Sequence, residues 1–286
     1  MNNYRLGLYE KSMPNSLSLP EKLRAAREAG FDWMEISIDE TQEKLHRLSW
    51  SRQERVALRH VMWEEGLPID TLCLSGHRKY PLGSLDVATR DRGLEIFRQA
   101  VDFAHDLGIR LIQLAGYDVY YEKGDETTRA LFVEGLKKGV EYAASQGVIL
   151  GFETMETPFM DTISKAMAYI DLIASPYLGV YPDLGNLTNA CHLYGKTVPE
   201  ELIVGSGHLF AMHIKETDEG KYRDMRFGTG RVDFVEGIGS ALQLGVRLFV
   251  AECWQDSDDW QTVNRGVNHF IREKFEQAQQ NFVHAV

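Results

Sequence analysis

Short apolar runs and longer amphipathic stretches alternate along this chain from one end to the other. The runs are RLGLY (5–9), WMEISI (33–38), IDTLCL (69–74), RLIQLA (110–115), VILGF (148–152), LGVYP (178–182), LFAMHI (209–214) and RLFVAE (247–252). Each is brief and bounded, as the buried strands of a parallel sheet are. Between them lie EKLRAAREAG, ERVALRHVMWEEG, GLEIFRQAVDFAHDLG and LFVEGLKKGVEYAASQG. Their apolar residues fall three and four apart, the period of a helix with one buried face. Gly30, Gly66, Gly108 and Gly147 close these stretches, at the position where a left-handed residue ends a helix.

The pattern amounts to eight strand-then-helix units, with no Pro/Gly/Ser linker or break in composition between them. It predicts an α/β protein, a (β/α)₈ TIM barrel formed as a single domain over residues 1–286. Six strands would suit an open doubly wound sheet instead, and no GxGxxG or GxxxxGK[ST] follows the first strand to support nucleotide binding. The unit between the sixth and seventh strands, NLTNACHLYGKTVPEELIVGSG, is the least regular, and a helix is expected there after Pro199. FGTGRVDF reads as a glycine-rich turn, with Val232-Asp233 starting the helix before the last strand. Gly228 and Gly230 then serve tight backbone geometry rather than a phosphate cradle.

Four consecutive strands turn polar where they end. VILGFE ends at Glu153, LGVYPD at Asp183, FAMH at His213 and LFVAE at Glu252. In a (β/α)₈ barrel the carboxyl ends of the strands form the mouth where catalytic groups gather. A lone acidic residue after a strand is usually a helix N-cap or a solvated loop residue. Four ligand-type residues at equivalent positions point instead to a shared site. Three carboxylates and an imidazole suit one divalent cation: Mn²⁺, Mg²⁺, Co²⁺ or Zn²⁺. Without a cation the three carboxylates would repel one another and raise each other's pKa values.

Composition narrows the field. The net charge of −11 disfavours non-specific nucleic acid binding. No apolar run is long enough to cross a membrane, and MNNYRLGLYE lacks the blocks of a signal peptide. Cys73, Cys191 and Cys253 are widely spaced with no CxxC, which fits reduced thiols and a cytoplasmic location. Cys253, beside Glu252, is expected to be a small buried thiol rather than a nucleophile.

At the polar strand ends the sequence resembles the L-ribulose-5-phosphate 3-epimerases, also labelled L-xylulose-5-phosphate 3-epimerases or hexulose-6-phosphate isomerases, of the xylose-isomerase-like metal-dependent barrels. The similarity runs along nearly the whole chain, in LGLYEK, FDWMEISIDET, LCLSGHRKYPLGS, IQLAGYDVYY, YPDLGN, AMHIKET, FGTGRVDF and AECW. It implies Glu153, Asp183, His213 and Glu252 as metal ligands, the set already reached from the strand ends. It further implies proton transfer at C3 of a 2-ketose phosphate, interconverting L-xylulose 5-phosphate and L-ribulose 5-phosphate. The metal would chelate the C2 carbonyl and C3 hydroxyl oxygens and stabilise the enediolate. Glu153 and Glu252 would act as the acid/base pair on its two faces. Neither nicotinamide nor ATP is required, and the resemblance suggests a homodimer and a place in ascorbate or pentose catabolism.

Substrate contacts are expected from His77, Arg78 and Lys215, with Lys79, Lys11 and Arg226 as further candidates for the phosphate. Glu156 is a candidate for orienting a ligand or binding a hydroxyl. Tyr9, Tyr117, Tyr120, Tyr121 and Trp254 lie near strand ends and are more readily packing residues than site residues. Free-sugar 3-epimerases of the wider superfamily tend to place a histidine three residues after the ligand Asp and an arginine six after the ligand His. Asn186 and Glu219 stand at those positions here, which points towards a phosphorylated ketose. The competing readings are a hexulose-6-phosphate aldose–ketose isomerase with the same metal site, an inosose-dehydratase-like lyase, an endonuclease IV-like trinuclear zinc enzyme, and a sugar-binding barrel without catalysis. Nine histidines overall, with only His77 and His213 at strand ends, argue against a trinuclear cluster.

Overall fold

A computed structural model describes residues 3–253 and 258–283. Eight parallel strands form one sheet: β1 (Arg5–Tyr9), β2 (Trp33–Ile38), β3 (Ile69–Leu74), β4 (Leu111–Ala115), β5 (Ile149–Glu153), β6 (Leu178–Val180), β7 (Met212–Ile214) and β8 (Leu248–Ala251). Their order is β6-β5-β4-β3-β2-β1-β8-β7. Between β6 and β7 the ladder thins to isolated bridges, Val180 with Leu209 and Asp183 with His213. Three backbone hydrogen bonds carry that seam: Val180 N to His208 O at 2.8 Å, Phe210 N to Val180 O at 2.9 Å and His213 N to Pro182 O at 2.9 Å. The sheet thus curls round on itself as the (β/α)₈ barrel that the alternation predicts.

Strand alternation sorts side chains into two cores. In β2, Met34, Ile36 and Ile38 face outward into the large layer between strands and helices. Trp33 faces inward, into a smaller core with Tyr9, Cys73, Leu111, Tyr181, Ala211 and Val250. That inner space is filled by large rings seated over glycine. A Cβ on Gly7 would stand 2.5 Å from the Trp33 ring, and one on Gly151 would stand 2.8 Å from Tyr181 Cβ. Either substitution would force the ring out of its place.

The helices pack around the outside and stop where the sequence predicts. Gly66 and Gly108 are left-handed C-caps of the helices Arg52–Glu65 and Val87–Leu107, and Gly30 and Gly147 also hold positive φ. Asp233 caps the helix Phe234–Gln243 through the Glu236 amide, as the Val232-Asp233 reading requires. Two expectations need correction. Strands β6 and β7 are shorter than LGVYP and LFAMHI suggest, because pairing beyond Val180 and before Met212 is confined to single bridges. The unit between them holds two helices, not one: Leu184–Tyr194 and Val198–Val204, with Pro199 in the first turn of the second. The first escapes a periodic reading because Leu184 to Cys191 are all buried, leaving no polar stripe.

Candidate metal centre and active site

The barrel mouth collects Glu153 from the end of β5, Asp183 after β6, His213 within β7 and Glu252 after β8. One ligand atom from each lies within 4.8 Å of every other, and all four residues are buried. His213 presents Nδ1 to the group, 2.9 Å from Glu252 Oε2, 3.8 Å from Glu153 Oε1 and 3.9 Å from Asp183 Oδ2. The four residues inferred from the strand ends are therefore brought together.

Asp183 satisfies the bland and the functional reading at once. Its Oδ1 accepts the Asn186 amide at 2.6 Å and so caps the helix Leu184–Tyr194. Its Oδ2 is buried without a hydrogen bond, and its charge contacts are with Lys215 Nζ at 3.1 Å and His213 Nδ1 at 3.9 Å. A buried carboxylate oxygen left in that condition is costly, and a cation would satisfy it. Hard oxygen donors with one imidazole fit Mg²⁺, Mn²⁺, Co²⁺ or Zn²⁺, so the residues present suit the ion that the sequence implies.

The electrostatics agree, with one change of emphasis. Burial, more than repulsion between neighbours, pushes the Glu153 carboxyl up to about 8, and Glu252 adds to this while His213 opposes it. Burial likewise raises Asp183 to about 6, against the pull of Lys215. Burial alone would depress the His213 imidazole; the carboxylates Glu35 and Glu252 outweigh it and hold its pKa well above the usual value. A cation held at Nδ1 would take the place of a proton between this nitrogen and Glu252 Oε2, 2.9 Å away.

Glu35 was not foreseen from sequence. It sits in the middle of β2 on the inward face, fully buried, with Oε1 2.6 Å from His213 Nε2. Its signal is a single charge, in phase with Trp33 and Ser37, inside the run WMEISI.

The remaining candidates divide. Lys215 is buried at the site, 3.7 Å from Glu252 Oε2 as well as beside Asp183. Arg78 lines the cavity above it, its guanidinium 4.7 Å from the Tyr120 ring centre, and its buried Nε has no hydrogen bond. Lys11, paired with Asp39 at 2.6 Å, and Arg223 line the same cavity. His77 is not brought to it: Nε2 meets the Gly93 carbonyl at 3.1 Å and the ring packs edge-on to Phe97. Burial lowers the His77 pKa to about 4, so it is held neutral. Lys79 lies over its neighbour Tyr80, and Arg226 lines a different cleft with Phe270.

Glu156 accepts a hydrogen bond from Tyr120 at 3.3 Å and faces Arg223 at 3.8 Å. Tyr9 lines the cavity, Tyr117 is buried, Tyr121 is exposed, and Trp254 falls outside the described residues. Cys253 is buried and its thiol is pushed up to about 12, in keeping with an inert group. Asn186 donates to the Thr154 carbonyl at 2.9 Å, and Glu219 pairs with Arg231 at 3.3 Å. Gly230 packs against the Thr217 carbonyl, where a Cβ would come within 2.1 Å, so FGTGR is a close-packed turn. A wider cleft of about 450 Å³ adjoins the site and shares Met155, Glu156, Asn186 and Tyr222 with it. No helix among the described residues is long and apolar enough to cross a membrane.

Comparison with known proteins agrees with this geometry. Residues 23–274 match the family described as xylose isomerase-like TIM barrel. The chain is 46% identical over 263 residues to SgbU of Escherichia coli K12, whose naming as an L-ribulose-5-phosphate 3-epimerase is itself provisional; the match covers 90% of this chain and 91% of SgbU. It is 44% identical over 253 residues to the L-ribulose-5-phosphate 3-epimerase UlaE of Escherichia coli SE11, covering 88% of each. In fold it is similar to the D-allulose 3-epimerase of Methylomonas sp. in complex with D-allulose. That match has a TM-score of 0.77 at 19% identity, over 95% of this chain and 97% of the other. The chain belongs to the xylose isomerase-like TIM barrel family and, within it, to the L-ribulose-5-phosphate 3-epimerases, isomerases of the racemase and epimerase class.

Proposed function

We propose that this protein is a divalent-cation-dependent 3-epimerase that interconverts L-xylulose 5-phosphate and L-ribulose 5-phosphate. The observation that carries the reading is the convergence of two glutamates, Glu153 from β5 and Glu252 from β8, on the same buried ligand group. A bound divalent ion would supply Lewis acidity to the carbonyl and neighbouring hydroxyl of the ketose. Glu153, Asp183, His213 and Glu252 would hold it. Inverting a carbon through a planar enediolate needs one group to take the C3 proton and another to return one to the opposite face. Strands β6 and β7 separate β5 from β8 along the barrel mouth, which supports assigning those tasks to Glu153 and Glu252.

Lys215, beside Asp183 and Glu252, would hold a sugar oxygen. Arg78, with Lys11 and Arg223, gives the cavity a positive rim for the phosphate in an otherwise acidic protein. His77, next to Arg78 in the chain, is tied to the helix Val87–Leu107 through Gly93. The relatives' names supply the substrate, and the charged rim is what speaks for its phosphate.

Proton NMR in D₂O with L-xylulose 5-phosphate tests the reading. The C3 proton should exchange while the second epimer appears. Glu153→Gln and Glu252→Gln should each slow exchange by about 10²–10⁴-fold with the fold retained. Exchange at C1 in place of C3 would overturn the epimerase in favour of an aldose–ketose isomerase. Full activity in either variant would overturn the two-glutamate assignment.

A further inference from the structure

We propose that Glu35 is a positioning residue: from inside the barrel it fixes which ring nitrogen of His213 is offered to a cation, and so strengthens divalent metal binding. This rests on the metal centre proposed above.

The geometry is a closed set of hydrogen bonds beneath the mouth. Glu35 Oε1 accepts from His213 Nε2 at 2.6 Å. Its Oε2 accepts from Thr71 Oγ1 at 2.6 Å and from the Tyr181 hydroxyl at 2.9 Å. Four strand regions, β2, β3, β6 and β7, therefore meet on one carboxylate that has no contact with solvent. An ionised carboxylate in such a place is tolerated only when fully hydrogen-bonded. The Tyr181 and Tyr9 rings, 5.2 and 5.7 Å from the imidazole centre, flank it.

Glu35 is not one of the four residues whose ligand atoms cluster at the mouth. It occupies the other edge of the imidazole. Turning the ring over would set a C–H against Glu35 Oε1 and turn Nδ1 away from Glu153, Asp183 and Glu252. The bond to Glu35 therefore selects Nδ1 as the donor and keeps the ring aimed before any ion arrives. A partner of this kind orients a ligand histidine and raises its basicity, and its loss typically weakens metal binding 10–100-fold. In Glu35→Gln the amide would present N–H groups towards two hydroxyl donors or towards Nε2, so one of these bonds must be lost or reversed.

The test is Zn²⁺ affinity of the full chain, measured by competition with a chromogenic chelator, beside the melting temperature of each protein stripped of metal. Glu35→Gln is expected to bind Zn²⁺ about 10–100-fold more weakly than wild type. Glu35→Asp, which keeps the charge on a shorter arm, should recover part of that loss. A metal-free melting point lowered with Zn²⁺ affinity unchanged would reduce Glu35 to a packing role and overturn the inference alone. Wild-type protein that takes up no Zn²⁺ would overturn the metal centre and this inference with it. If Glu35→Gln does not fold, ¹⁵N NMR of histidine-labelled wild type loaded with Zn²⁺ decides. Coordination through His213 Nδ1 with a proton on Nε2 is expected, and coordination through Nε2 overturns the proposal.

Discussion

Two ionic clusters are buried near the same barrel mouth, and their charge balances are opposite. In one, the single carboxylate of Glu10, just after β1, is ringed by three cations. Lys22 Nζ lies 3.1 Å away, Arg47 2.6 Å away, and Lys44 closer still. In the other, three carboxylates face one imidazole and one ammonium. Burial opposes ionisation in both. Around Glu10 the hydrogen bond and charge of Arg47, with the two lysines, outweigh it and hold the carboxyl far below its ordinary value. Around Glu153 and Asp183 too little positive charge is present, and their carboxyls rise. A cluster oversupplied with cations is structurally complete: it ties the start of the first βα loop to the segment after β2. A cluster short of them has the ligand types and the spacing to take up a cation.

The contrast can be broken most strongly at Glu10. Glu10→Gln leaves three buried cations without their carboxylate and should destabilise the protein by about 3–5 kcal/mol, read from urea or guanidinium unfolding. The depressed Glu10 pKa also fixes a sign. Its contribution is fully present above the unfolded carboxyl value of 4.5 and is lost as pH falls below it.

The acidic cluster should behave in the opposite sense. With the folded Glu153 carboxyl raised from 4.5 to about 8, the metal-free fold binds a proton that the unfolded chain has released. Stability of chelator-stripped protein should then fall as pH rises from about 5 to 8, by about 3–4 kcal/mol. Saturating Zn²⁺ or Mn²⁺ should abolish that fall. A stripped protein equally stable across this range would show that the two clusters are not opposites.

The smallest effect is expected at Lys22, whose pKa is lowered chiefly by burial despite its contact with Glu10. Lys22→Met leaves Glu10 paired with Lys44 and Arg47 and replaces the third cation with an apolar chain of similar size. Its unfolding free energy should stay within about 1 kcal/mol of wild type.

Sequence patterning exposed one of these clusters and hid the other. Glu153, Asp183, His213 and Glu252 are legible because each stands near or just beyond the carboxyl end of a strand at the mouth, a position that barrel topology makes meaningful. Glu10 stands at such a position too, but the partners that explain it come from the helix Leu19–Glu28 and from residues 44 and 47, and nothing local links them. Glu35 was hidden differently. In WMEISI an apolar average conceals a two-residue alternation, and only the alternation tells which way a mid-strand charge points. The helix Leu184–Tyr194 eluded periodicity because its first residues touch protein on every side. His77 shows the converse case: a histidine in a distinctive motif suggests a substrate contact, while in the structure its ring meets the backbone of Gly93.

The thin seam between β6 and β7 bears on how the cylinder stays shut. Asp183 and His213 stand on either side of it, joined by one of its isolated bridges, and both belong to the cluster of four suited to hold a metal ion. An ion gripped by both would act as a clasp across the weakest stitch in the ring of strands. The chemistry and the closure of the barrel would then share one fastening, and stripping the ion would loosen the wall as well as silence the site.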